Sequence, residues 1–150
     1  MDLKSLYREI VNEHNLYPSN KRKIENPDLV LRGVNPSCGD DIILSLCLKD
    51  GVIVDAAFEG SGCAISQASV DMMADEIKGK TIDEAKGLSE LFMKMIKGEE
   101  KDDEKLEQLE DAAALKDISH MPARVKCAVL GWHTMSEMLE HPEKAVAEKK

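Results

Sequence analysis

The stretch DIILSLCLKDGVIVDAAF, residues 41–58, decides the fold. Ile42, Leu44, Leu46 and Leu48 fall at every second position, which puts them on one face of a strand running from Asp41 to Leu48. Val52 to Phe58 reads as the next strand. Asp50-Gly51 separates the two, and both residue types tolerate the positive φ that a two-residue hairpin turn requires. Upstream, Leu29 to Val34 alternates more weakly and supplies a third strand. The expectation is a three-stranded antiparallel meander with one face in need of cover.

Helices on either side supply that cover. Leu3, Leu6, Tyr7, Ile10 and Val11 have helical spacing within residues 2–14, and Asn15 to Pro27 is a polar, turn-rich loop. Residues 64–78 carry Ile65, Ala68, Met72 and Ile77 on one side, with Gly79 placed to end the helix. Thr81-Ile82-Asp83-Glu84 has the form of a capping box ahead of Ala85, Leu88, Leu91, Phe92 and Met95. After a charged break from Gly98 to Lys105, a helix is expected on Leu106, Leu109, Ala112 and Ala113. Pro122 then starts another, which runs through Val125, Val129, Leu130, Trp132, Met135 and Leu139. Residues 142–150 read as a frayed tail. One α+β domain over residues 1–150 is the expected organisation, with methionines such as Met72, Met93, Met95 and Met135 filling its core.

Composition narrows the partners. The chain has 150 residues, 29 acidic against 20 basic, and a formal charge of -9. A nucleic-acid partner is disfavoured, since phosphate binding relies on clustered basic residues, and Lys21-Arg22-Lys23 is soon followed by Glu25. No apolar run approaches the roughly 20 residues of a membrane span, and Met1-Asp2-Leu3-Lys4 opens no signal peptide. A cytoplasmic location is expected, where cysteines more often serve metals or catalysis than disulfides.

Three of the four cysteines sit in loop or helix-start settings. Cys38 lies in Asn35-Pro36-Ser37-Cys38-Gly39-Asp40, a turn-forming stretch in which Asp40 is two positions away and Gly39 allows close approach to an ion. Cys63 follows Gly60-Ser61-Gly62 at the bend into a helix, where peptide dipoles favour a thiolate. Cys127 follows Arg124 and Lys126 early in the last helix, and their positive charge acts in the same direction. Plain packing at a strand–helix corner or an apolar helix position accounts for Cys63 and Cys127 as well. Cys47, inside Leu46-Cys47-Leu48, reads as a packed or half-exposed strand residue. Of the histidines, His14, His133 and His141 lack obvious partners, and His120 is nearest in sequence to Cys127. There is no CxxC pair, P-loop or GxGxxG. Residue chemistry alone therefore leaves a dispersed zinc or redox site beside ordinary packing.

The segments Pro36-Ser37-Cys38-Gly39-Asp40, Gly60-Ser61-Gly62-Cys63-Ala64-Ile65-Ser66-Gln67-Ala68-Ser69 and Pro122-Ala123-Arg124-Val125-Lys126-Cys127 resemble the IscU/NifU-like family, and most closely its SufU branch. Two departures from the IscU pattern carry that preference. Lys126 stands where IscU proteins usually have His before the third cysteine, and charged helical material around residues 80–105 resembles a SufU-type insertion.

The resemblance implies a three-stranded sheet backed by helices and a zinc site of Cys38, Asp40, Cys63 and Cys127. It also implies zinc-dependent sulfur transfer for iron–sulfur cluster assembly, with Cys38 taking persulfide sulfur from a SufS-type cysteine desulfurase whose pyridoxal phosphate belongs to that partner. In the implied exchange a desulfurase histidine takes a place on the zinc and frees Cys38, with Arg124 as an auxiliary. Cys38 and Asp40 would form the movable half of the site, and Cys63 and Cys127 the fixed half. Downstream cluster-assembly proteins are further implied partners. The alternatives are a scaffold holding a transient [2Fe-2S] cluster on the same ligands, and a non-catalytic zinc adaptor that activates the desulfurase.

Overall fold

The structure is a computed structural model that describes residues 3–145. Helix α1 (Leu3–Leu16) precedes a meander of β1 (Leu29–Asn35), β2 (Asp40–Lys49) and β3 (Val52–Ser61), which pair antiparallel in the order β1-β2-β3. Then come α2 (Ala64–Ile77), α3 (Ile82–Ile96), a single turn α4 (Asp103–Leu106), a 3-10 segment (Glu107–His120), and α5 (Pro122–Glu140). The α+β expectation holds.

The alternation in β2 does what its pattern predicts. Ile42, Leu44 and Leu46 are buried, while Leu48 is only half-buried because the register slips between Cys47 and Leu48. Asp50 and Gly51 take φ of 53° and 77°, the left-handed pair of a tight hairpin. β3 runs three residues past its expected end, so Gly60 belongs to the strand and not to the bend. It pairs with Ile42 at φ 117°, and a Cβ there would stand 2.1 Å from the Asp41 carbonyl oxygen.

Three expectations are refined or corrected. The loop after α1 is structured: Phe58 N donates to Asn20 O (2.9 Å) and Arg22 N to Phe58 O (3.0 Å), so the loop covers the open edge of β3. Arg22 is also paired with Asp55 at 2.5 Å. The second correction concerns the helix expected after Lys105. It is α-helical for one turn only, and the rest is 3-10, broken at Glu110. The buried residues Leu106, Leu109, Ala112, Leu115 and Ile118 recur every third position, which matches three residues per turn and not 3.6. The third concerns the tail: Pro142–Lys144 forms a short turn, Ala145 is buried, and Val30 N donates to Ala145 O at 2.7 Å. Residues 146–150 of the expected frayed tail lie outside the described residues, as do the side chains of Leu3, Leu6 and Tyr7 on the expected α1 face.

Helix α2 is buried almost all round, from Ser66 through Ala74, rather than on a single face. It is wedged between α1, α5, β3 and the 3-10 segment. Its crossing with α5 is close because small residues meet there. Ser69 Oγ donates to Ala128 O at 2.6 Å, and a Cβ on Gly131 would come within 2.8 Å of Val70. α5 also presses on β1, where a Cβ on Gly33 would meet Thr134 Oγ1. On its far side Trp132 stacks on Phe92 of α3, centroids 4.5 Å apart, a contact worth about 1 kcal/mol beyond its buried area. The capping box of Thr81 and Glu84 forms as expected. These contacts bring the start of α2 and the second turn of α5 to the same end of the sheet.

Candidate metal centre

Four chain segments converge at that end. Cys38 closes the β1–β2 connection: its N donates to Asn35 O (3.2 Å) and Gly39 N to Pro36 O (3.4 Å), leaving the Cys38 side chain half-exposed. Asp40 is the first residue of β2, paired with Asn35, and it is fully buried. Cys63 is the N-cap of α2 and accepts from Ser66 N at 3.4 Å. Cys127 is the sixth residue of α5 and fully buried.

One ligand atom from each of Cys38, Asp40 and Cys127 lies within 4.8 Å of the other two. Cys127 donates to Cys38 across 3.0 Å between the sulfurs. Cys63 is outside this mutual set, its sulfur turned toward the Ser66 amide, though its backbone N donates to Asp40 Oδ1 at 2.8 Å. The thiol of Cys127 is pushed up, by burial first and then by its neighbours Cys38, Cys63 and Asp40. Lying beyond the first turn of α5, Cys127 gains little from the helix N-terminus. Exposed Arg124 faces these sulfurs, and Cys63 followed by Cys127 and Cys38 raises its guanidinium further.

Asp40 also departs from the expectation of a movable Cys38–Asp40 half. Its carboxylate is held by the Cys63 amide and approached by Asn35 Nδ2 at 3.4 Å. Among the described residues no basic side chain forms an ion pair with it. A buried carboxylate without a cation, facing thiols, is the donor set of a thiolate-rich metal site, so the residues present fit a zinc ion.

Asn35 is a site residue that the sequence reading missed. It is buried, and its Nδ2 also lies 3.8 Å from Cys127 Sγ. Before Pro36 it reads only as a turn former, and its place opposite Asp40 appears only with the strand register. Ser66 and Gln67 were likewise passed over. Both are buried, with Ser66 Oγ and both Gln67 amide atoms unpartnered. Their one sequence signal is a polar pair inside a buried helix, three and four residues after Cys63. His120 is exposed and lines a separate cleft of about 360 Å³ with Lys97, Lys101 and Lys116, away from the cysteines. Cys47 is half-buried on β2, its thiol pushed up by burial beside Asp28 and Asp55.

Fold and site together define a small α+β protein with cysteines and a carboxylate gathered at one end of a three-stranded sheet. The chain belongs to the family of NifU-like N-terminal domains, whose family model matches residues 6–128. It is 42% identical over 136 residues to the zinc-dependent sulfurtransferase SufU of Bacillus subtilis, covering 91% of this chain and 90% of that protein. It is 39% identical over 140 residues to the iron–sulfur cluster assembly scaffold protein IscU of Thermotoga maritima, covering 93% and 96%. The crystal structure of FiSufU from Fervidobacterium islandicum superposes with a TM-score of 0.78 at 37% identity, covering 87% of this chain and 94% of that one. Among the described residues no helix is long and apolar enough to cross a membrane.

Proposed function

We propose that this chain accepts sulfur from the persulfide of a SufS-type cysteine desulfurase and passes it toward iron–sulfur cluster assembly, using a zinc site. The observation that carries the reading is the division of labour at the site. Asp40 and Cys127 are fully buried, whereas Cys38 stands half-exposed on a turn with its sulfur against that of Cys127. Similarity to the Bacillus subtilis sulfurtransferase supports zinc and sulfur transfer over the bare alternative of a metal-stabilised fold.

Cys38, Asp40, Cys63 and Cys127 would hold the zinc, three thiolates and a carboxylate making a full shell. Bound zinc supplies charge that keeps these thiols deprotonated. Cys63, whose backbone N already binds Asp40, would supply the third thiolate. The Cys63 amide and Asn35 keep Asp40 aimed inward.

The Cys38 thiolate attacks the outer sulfur of the partner's persulfide. The partner's sulfur–sulfur bond breaks, its cysteine leaves as a thiolate, and Cys38 becomes the persulfide, with no net oxidation. Of the sulfurs at the site, only Cys38 has both solvent access and freedom from a helix cap. Arg124, exposed beside the sulfurs, attracts the anionic persulfide.

The scaffold reading has its own support in the likeness to the Thermotoga maritima protein. Metal analysis of anaerobically purified protein, with desulfurase turnover measured beside it, separates the readings. Zinc without iron, and stimulation of turnover that a Cys38→Ala variant loses, are expected. Stoichiometric iron and sulfide would favour the scaffold. Full stimulation by Cys38→Ala would leave only an adaptor.

A further inference from the structure

Gly60 and Gly62 both precede Cys63, and a side chain is excluded at each for a different reason. Gly60 takes φ 117°, a backbone that L side chains rarely adopt. Gly62 is not among the residues with positive φ, so its backbone would accept alanine, and it is exposed. What stands against a side chain at Gly62 is space. A Cβ there would come 2.5 Å from Ser66 Oγ and 2.7 Å from Asp40 Oδ1, nearer than real Cβ contacts allow.

The two neighbours differ in how readily they can give way. Ser66 Oγ is buried without a partner, so turning it aside breaks no hydrogen bond. Asp40 is fully buried, its Oδ1 accepts from Cys63 N at 2.8 Å, and its Oδ2 is approached by Asn35 Nδ2 at 3.4 Å. Moving this carboxylate away from Gly62 stretches the bond to the Cys63 amide, and a buried carboxylate that loses a donor keeps its full desolvation cost. The crowding from a Cβ therefore falls on Asp40.

We infer that Gly62 is a positioning residue for the metal centre: the side-chain space it leaves open is the slot in which the Asp40 carboxylate is held. One peptide unit serves both ends of that contact. The amide between Gly62 and Cys63 donates to Asp40 Oδ1, and the missing side chain on Gly62 makes room for the same oxygen. Filling the slot shifts the carboxylate and leaves the three thiols in place. This role rests on the reading of Asp40 as a zinc ligand.

A double-mutant cycle on the full chain tests it, read as zinc affinity by chelator competition. Gly62→Ala should weaken zinc binding about tenfold or more. In an Asp40→Ala background, where the slot is already empty, the same substitution should change affinity by no more than about twofold. A bend that is merely disrupted would lose affinity equally in both backgrounds. That result, with Asp40→Ala itself weakening zinc, would overturn the role of Gly62 and leave the zinc reading standing. Parental affinity in Asp40→Ala would overturn both. Cobalt substitution adds a spectroscopic readout: the visible bands of the Co2+ form should shift in Gly62→Ala, and a parental spectrum would count against the slot. If Gly62→Ala fails to fold, adding Asp40→Ala should restore folding, and its failure to do so would likewise overturn the role.

Discussion

The sulfur atoms of Cys38 and Cys127 stand 3.0 Å apart, one on the β1–β2 turn and the other inside α5. Contact between residues 89 positions apart in sequence, one half-exposed and one buried, makes the pair sensitive to what lies between them. With the metal stripped, mild oxidation by oxidised glutathione should join these two sulfurs, while the zinc-loaded protein resists. Non-reducing peptide mapping checks it. A disulfide from Cys47, or Cys38 left free while Cys63 and Cys127 pair, would show that the sulfurs are arranged otherwise.

Asp40→Ala removes the one buried carboxylate of the site and leaves Cys63 N without its acceptor. Zinc should be released to a chelator at an affinity about tenfold or more weaker, and the melting temperature should fall with it. Chelator competition and thermal melts measure both quantities. If neither moves, Asp40 is not a ligand.

Zinc uptake should release protons and tighten as pH rises. Burial and the neighbouring sulfurs push the Cys127 thiol up, so in the metal-free protein it holds its proton at neutral pH and the ion must displace it. Acid therefore favours the free thiol and loss of metal. Calorimetry in two buffers of different ionisation enthalpy counts the protons. An affinity flat across pH 6 to 8, roughly the range over which thiol competition changes most, would contradict the exchange.

Gly131→Ala should loosen the crossing of α2 and α5 without touching a ligand. Its new Cβ would stand 2.8 Å from Val70, and relieving that overlap costs about 1–3 kcal/mol. Denaturant unfolding gives the number. A change below about 0.5 kcal/mol would mean that the two helices have slack.

The meander was legible because alternation in Asp41 to Leu48 and the Asp50-Gly51 pair are local signals, and the structure keeps both. The 3-10 segment was legible too but misread: its apolar residues repeat at three, and only the habit of expecting 3.6 concealed it. Burial all round α2 was not legible, since it depends on four neighbours from distant parts of the chain. The His14–Asp71 contact spans 57 positions, and nothing local distinguishes a histidine at a helix end from a solvated one. At the cysteine centre, motif resemblance picked out Cys38, Asp40, Cys63 and Cys127, and the fold brings ligand atoms of Cys38, Asp40 and Cys127 together while Cys63 stays outside that set. It did not tell that Asp40 is rigidly held or that Asn35 reaches both Asp40 and Cys127.

The most direct measurement is the intact mass, with peptide localisation, of the zinc-loaded chain after brief reaction with desulfurase and cysteine under anaerobic conditions. One added sulfur atom on Cys38, absent when the desulfurase or cysteine is left out, is the expected result. An unmodified Cys38, or sulfur found instead on Cys47, would contradict its role as the sulfur acceptor.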